Sequence, residues 1–266
     1  MAITRNSLKN PDLSPEKRLV IQETLERSMA CDVWIKKAFK NVGVLLTSHP
    51  NNKQFLKASL ESHKKLGFWT TVVYDNYWKP TRPDLSFDAL MPDRETFNLA
   101  DNFLISKYQD WGGVIFPYFW MLKFGIQQLS MFEYIYHANG DCILEKPEKF
   151  SALFSMLGDA DIFFIGWDDS TSKPMANTTG FIAKTSAALA IMKHFQDHFV
   201  PFEVYEKYSA ELGSGEVRFA RACLELNLKV RKPIEAPYDL QLSRPGYGTW
   251  YKTVGFRHLH GEDKVK

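Results

Sequence analysis

The stretch VGVLLTSHPNNKQFLKASLESHKKLGFWTTVVYDN, residues 42–76, constrains the fold of this chain more than any other. Val42–Thr47 is a short apolar run that reads as a strand. From about Asn52 to Leu66, Phe55, Leu56, Ser59, Leu60 and His63 fall on one face of a helix. Gly67 ends that helix as a left-handed cap. Trp69–Tyr74 is β-branched and aromatic, a second strand that stops at Asp75-Asn76. Strand, helix and strand in so short a span make a βαβ unit, and a βαβ unit requires a parallel sheet.

The same reading extends in both directions. Ser14-Pro15-Glu16 is a helix start, with Ser as N-cap and Pro at the first helical position. Ile21, Leu25, Met29 and Val33 then mark residues 15–39 as one amphipathic helix. Residues 76–112, rich in Pro, Asp and Asn, read as irregular. A helix is expected over Pro117–Met131, strands over Asp161–Trp167 and Thr179–Lys184, and helices over Ser186–Phe199 and Gly215–Leu226. A strand follows at Leu228–Arg231, and the last 35 residues lack clear periodicity. No repeat, low-complexity tract or linker interrupts the pattern. The expectation is an N-terminal helical extension, residues 1–40, and one α/β domain, residues 41–266, with a mostly parallel sheet flanked by helices.

Composition agrees with a soluble globular protein, 45% hydrophobic and 24% charged. No run approaches the roughly 20 apolar residues that span a membrane, and MAITRNSLKN has no apolar segment of a signal peptide. Cys31, Cys142 and Cys223 are widely spaced and lack zinc-site spacing, so they read as reduced thiols of a cytoplasmic protein. The net charge of +2 conceals basic ends and an acidic centre. That gradient fits either a solvated surface or an anionic partner.

Candidate chemistry lies where strands end, because ligands of open parallel sheets sit at the carboxyl edge. Three polar groups fall there: Thr47-Ser48-His49, Asp75-Asn76 and Asn139-Gly140-Asp141. Each alone reads as a turn or cap; together they favour a nucleotide site. The third is the sharpest. In YIYHANGDCIL, residues 134–144, a carboxylate breaks an apolar run that resumes at once with Cys142-Ile143-Leu144.

On these residues the chain resembles the GT-A-fold glycosyltransferases. The opening βαβ stretch is similar to their nucleoside-binding start, which implies that Thr47 and Asp75 cradle a nucleoside. YIYHANGDCIL resembles the strand carrying their Asp-x-Asp motif, whose acids hold a divalent metal on the diphosphate of a sugar nucleotide. Here the motif reads Asn139-Gly140-Asp141, so the first acid is an amide, able to coordinate through its carbonyl oxygen or to hydrogen-bond a ribose but bringing no charge. HLHGEDK gives His258-x-x-Gly261-x-x-Lys264, which resembles the His-x-x-Gly-x-x-Lys motif of glycogenin and the lipopolysaccharide hexosyltransferases. The resemblance implies that His258 completes a Mn²⁺ or Mg²⁺ site with Asp141, and that Gly261 and Lys264 contact the diphosphate. His260 is a competing ligand, and the Pro-Trp that usually follows the motif is absent. MANTTGFIAKTSAAL resembles the strand and helix after the acceptor loop, placing Asn177 and Gly180 beside the donor sugar. GSGEVRFARACLELNLKV resembles a helix bearing an acid that faces the acceptor, here Glu216; an acid in a first helical turn is also favoured by the helix dipole alone. Tyr118, Trp120 and Lys123 read as core and surface rather than donor contacts.

The expected activity is therefore transfer of a sugar from a nucleoside diphosphate, uridine by resemblance, with retention at the anomeric carbon. Three rival readings make different demands on the sequence. A sugar-nucleotide pyrophosphorylase would need a Gly-rich phosphate loop, and TSHPNNKQ has no glycine. A metallohydrolase built on His258, His260 and Asp263 would lack a following strand to orient them. A binding protein that kept the fold and lost the chemistry with the first acid is the alternative from another class. For the acceptor, SRPGYGTWYKTVGFRH interleaves Arg244, Lys252 and Arg257 with Tyr247, Trp250, Tyr251 and Phe256. That pattern suits DNA with a hydroxylated base, or a lipopolysaccharide core, as well as a small or glycan acceptor with the aromatics packed as core.

Overall fold

Val42–Ser48 forms β1, buried along its whole length, in a computed structural model that describes residues 41–75, 90–106, 117–144, 154, 157–168, 174–198, 215–231, 249–251 and 256–258. The helix expected over 15–39 lies outside the described residues. A strand apolar on both faces must be covered on both sides, and the elements that follow supply the cover. After a single 3₁₀ turn at Pro50–Asn52, Lys53–Lys64 forms α1 and buries Leu56, Ser59, Leu60, Ser62 and His63. Gly67, at φ 75°, reverses the chain into β2, Trp69–Asp75, which pairs parallel to β1 from Gly43↔Trp69 to Ser48↔Tyr74. The βαβ unit is as expected.

Residues 76–112 are not wholly irregular. Arg94–Leu99 forms a short helix, α2, and Asn102–Ser106 forms β3, parallel to β2. The helix starts because Asp93 caps it, its carboxylate accepting the Thr96 N–H at 2.7 Å. Pro117–Gln128 forms α3, which stops three residues before the expected Met131. Tyr134–Asn139 forms β4, parallel to β1, and Cys142–Leu144 forms β5. Ile162–Asp168 is β6 and Met175–Lys184 is β7, which begins four residues earlier than the sequence implied. Thr185–Asp197 is α4, Gly215–Glu225 is α5 and Val230–Arg231 is β8. The C-terminal region, read as lacking periodicity, contains two strands, β9 at Thr249–Tyr251 and β10 at Phe256–His258.

Seven strands make the main sheet in the order β3-β2-β1-β4-β7-β6-β8. All run the same way except β7, which is antiparallel to β4 and β6. This is the mixed, mostly parallel α/β architecture expected, with helices on both faces. On one face α1 packs its His63 ring against Tyr136 of β4, 5.6 Å between centroids. On the other, Leu45, Ile135, Phe164 and Phe181 join Leu122 and Ile126 of α3, Ile191 and Phe195 of α4, and Phe219 of α5 in the principal core. Phe219 is the hub of an aromatic cluster, within 5.5–5.7 Å of Phe164, Phe181 and Phe195.

The Asn-Gly-Asp step turns out to be neither a hairpin turn nor a mere break. β4 belongs to the main sheet, while β5 belongs to a second sheet of order β5-β10-β9. Gly140-Asp141 is the point at which the chain passes from one sheet to the other. Among the described residues, no helix is long and apolar enough to cross a membrane.

Candidate functional site at the carboxyl edge

Because the strands are parallel, the carboxyl ends of β1, β2, β3, β4 and β6 share one edge. Ser48, Asp75, Ser106, Asn139 and Asp168 stand there. Thr47 is the register partner of Asn139 across the β1–β4 pair. Thr47, Ser48, Asp75 and Asn139, singled out from the sequence, therefore stand at one edge, while Asn76 lies outside the described residues. Asp168 was missed, although the same strand-end rule would have found it once β6 was extended by one residue.

Thr47 is buried and holds two partners. Its hydroxyl donates to Asn139 Oδ1 at 3.4 Å and lies 3.0 Å from His137 Nε2. His137 stands on β4, two residues before Asn139, and its ring stacks on Phe181 of β7, its cross-strand partner, at 5.0 Å. Burial pushes the His137 pKa down to about 3, so the imidazole is neutral at physiological pH. Sequence reading passed over His137 because it sits inside an apolar run.

Gly140 has a packing reason beside any role with a ligand. Its N–H donates to the Thr47 carbonyl at 2.7 Å, tying the turn to the end of β1. A Cβ there would lie 2.6 Å from Ser48 Cβ and 3.2 Å from Leu56 Cδ1. Only glycine lets the turn sit this close. Gly180 is similar: a Cβ would fall 2.1 Å from Ile165 Cδ1.

Asp141, at 1% exposed, is a carboxylate held inside the protein at this turn. Ionised carboxylates are kept in such positions by hydrogen bonds or by a cation. The next residue, Cys142, is the register partner of His258 in the antiparallel β5–β10 pair. Partners in such a pair have Cα atoms about 4.5–5.5 Å apart. The small sheet thus draws residue 258 from the far end of the chain to a position one residue along from Asp141. A carboxylate with an imidazole is a donor set that fits Mn²⁺, and oxygen from a diphosphate would suit either Mn²⁺ or Mg²⁺. Among the described residues no three His, Cys, Asp or Glu side chains form a metal-holding group by themselves. The His258 side chain lies outside them, as do His260, Gly261 and Lys264.

Asn177 is the partner of Gly166 in the β6–β7 pair, and Gly180 is the partner of Ala138 in β4. The β4–β7 pairing ends at Ala138↔Gly180 and the β6–β7 register shifts between Phe164 and Gly166, so Asn177 lies on β7 beyond its last pair with β4. Its side chain is outside the described residues. Glu216 is exposed in the first turn of α5. The other end of α5 leads to β8 beside Ile162, the amino end of β6, so the start of α5 points back towards the carboxyl edge. Asp75, at 1% exposed, follows Tyr74, whose hydroxyl donates to the Leu90 carbonyl at 2.6 Å. Burial, and secondarily the Asp75 charge, push the Tyr74 pKa up. Lys123 reaches Gln196 at 2.8 Å, a surface contact as expected, and the side chains of Tyr118 and Trp120 are outside the described residues. Cys142 and Cys223 are buried and in no disulfide, and burial pushes the Cys223 thiol up to about 12.

No protein-family model matches the chain, and no curated protein matches it. Solved structures with a similar arrangement include 4-diphosphocytidyl-2C-methyl-D-erythritol synthase from Anaerococcus prevotii. It is 9% identical with a TM-score of 0.40, over 70% of this chain and 98% of that one. The bifunctional IspDF of Campylobacter jejuni is 11% identical with a TM-score of 0.40, over 71% of this chain and 48% of that one. Neither likeness transfers an activity, and the functional reading rests on the chain's own residues.

Proposed function

We propose that the protein is a metal-dependent glycosyltransferase that moves a sugar from a nucleoside diphosphate, uridine diphosphate by the motif resemblance, to a hydroxyl acceptor. The observation that carries this reading is the β5–β10 register. It sets His258, of the His-x-x-Gly-x-x-Lys segment, against Cys142, next to the Asp141 that the Asn-Gly-Asp segment supplies. Two motifs more than a hundred residues apart in the sequence have no reason to meet unless they share a ligand or a structural contact. Their meeting at the carboxyl edge of a mostly parallel sheet favours the ligand.

In this reading Thr47, Asp75 and Asn139 bind the nucleoside side of the donor. Asp141 and His258 hold the cation, with His260 the competing imidazole. A bound Mn²⁺ or Mg²⁺ would supply Lewis-acid stabilisation to the leaving diphosphate. Lys264 offsets the same charge, Gly261 lets the backbone approach the phosphates, and Asn177 lies beside the sugar. The bond from the anomeric carbon to the diphosphate oxygen breaks with its electron pair on the diphosphate. The acceptor oxygen forms the new bond and passes its proton to a carboxylate, the role the resemblance gives to Glu216. Retention at the anomeric carbon belongs to the same proposal.

The test is Mn²⁺-dependent hydrolysis of uridine diphosphate sugars, the slow water reaction of such an enzyme. Asp141→Ala should reduce turnover about 100-fold or more, the effect of removing one charged stabiliser of a transition state. Near-normal turnover in that variant sinks the assignment, and an absence of hydrolysis with every sugar tried leaves the binding-protein reading. The acceptor class follows from a salt series. Phosphate-reading contacts of the basic ends with DNA must weaken steeply as salt rises, and no binding at low salt points to a small acceptor.

A further inference from the structure

We infer that His137 is a positioning residue that acts through the Thr47 hydroxyl to fix which end of the Asn139 amide faces the ligand. The inference rests on the proposed nucleotide site and goes further, by stating what Asn139 offers there. A hydroxyl has one proton. With that proton turned to Asn139 Oδ1, 3.4 Å away, the 3.0 Å contact with His137 is a hydrogen bond only if Nε2–H donates to Thr47 Oγ1. The opposite tautomer takes the Thr47 proton for itself. Thr47 Oγ1 and Asn139 Oδ1 would then face each other without a proton between them, and the amide would turn its NH₂ to Thr47. The tautomer of a buried ring thus sets the amide.

His137 has little freedom to depart from this arrangement. It is fully buried and stacked on Phe181 at 5.0 Å. With Oδ1 turned to Thr47, the Asn139 NH₂ has no partner among the described residues and is the end left to donate. The site therefore takes a ligand that presents an acceptor oxygen to Asn139, a hydroxyl or phosphate oxygen, and the cation is left to Asp141 and its imidazole partner. This gives the amide at the first motif position a function that a second carboxylate could not perform, since a carboxylate has nothing to donate.

Two measurements test it. Long-range ¹H–¹⁵N correlation on the ligand-free protein at neutral pH reads the His137 tautomer without any variant; Nε2–H is expected, and Nδ1–H overturns the inference. Calorimetric titration with uridine diphosphate and Mn²⁺ then compares wild type, Thr47→Ser, Thr47→Val, Asn139→Ala and the Thr47→Val/Asn139→Ala double variant. Thr47→Ser should bind as wild type does. Thr47→Val and Asn139→Ala should each weaken binding about tenfold, the worth of one hydrogen bond, and the double variant no further than Asn139→Ala alone. Wild-type affinity in Thr47→Val beside a weakened Asn139→Ala, or losses that add, overturns the relay. Failure of the wild type to bind the nucleotide at all counts against the proposed function, while the tautomer still decides the His137 arrangement.

Discussion

His63 shows how a single residue ties the fold to pH. It is fully buried on α1, with Nδ1 2.7 Å from the Ser59 carbonyl and its ring against Tyr136. Burial lowers its pKa from 6.5 to about 4, and the hydrogen bond to Ser59 only partly offsets this. The unfolded chain accepts a proton near pH 6.5, and the folded one not until about pH 4. Stability therefore falls as pH drops through that window, by up to about 3 kcal/mol from this one group. Urea denaturation at pH 7.5 and pH 4.5 should show a smaller loss for His63→Gln than for wild type. Equal losses would mean that His63 does not carry the effect. The sequence placed His63 on the buried face of α1, yet its neutrality depends on burial, to which elements distant in the chain contribute, such as Tyr136 of β4 packed against its ring. His137 was missed for a related reason, because an imidazole inside an apolar run looks like core until Thr47 is seen beside it.

At the scale of elements, α3 and β1 meet so closely that Gly125 is required. An added Cβ would lie 2.1 Å from Leu45 Cδ1 and 3.0 Å from its Cγ, and Leu45 is fully buried. Alanine in a helix interior gains up to about 1 kcal/mol over glycine, whereas overpacking a core costs about 1–3 kcal/mol. Leu45 is fully buried within the principal core, so a displaced side chain presses on its neighbours and the second effect wins. Gly125→Ala should lower the urea midpoint by the equivalent of about 1–2 kcal/mol, with an unchanged slope. A raised midpoint would show that Leu45 repacks freely. The helices α1 and α4 were legible because their apolar faces repeat over two turns or more, and β1 and β2 because they are unbroken runs of apolar, β-branched or aromatic residues. The short elements were not. α2 has six residues and β9 and β10 have three each, and β10 finds its partner β5 only across more than half of the chain that follows β4. No local pattern can announce such a pairing, although Asp93 before α2 was a readable cap.

The whole molecule brings the strand ends of β1, β2 and β4 and the residue-258 segment to one edge, in one unit spanning Val42–Lys266. The strand-end half of this site followed from βαβ topology, since parallel strands put their carboxyl ends together. The other half depended on motif resemblance, because nothing local in Phe256–His258 predicts contact with Cys142. If that edge binds a nucleoside diphosphate through a cation, then ligand, metal and Asp141 must act together. Thermal unfolding across a panel of nucleoside diphosphates, with and without Mn²⁺, measures this linkage directly, because a ligand that binds only the folded state raises Tm by mass action. Uridine diphosphate should raise Tm in the presence of Mn²⁺, far less without it, and neither condition should stabilise Asp141→Ala. The account is contradicted if no nucleoside diphosphate raises Tm with Mn²⁺ present, or if Asp141→Ala is stabilised as much as the wild type.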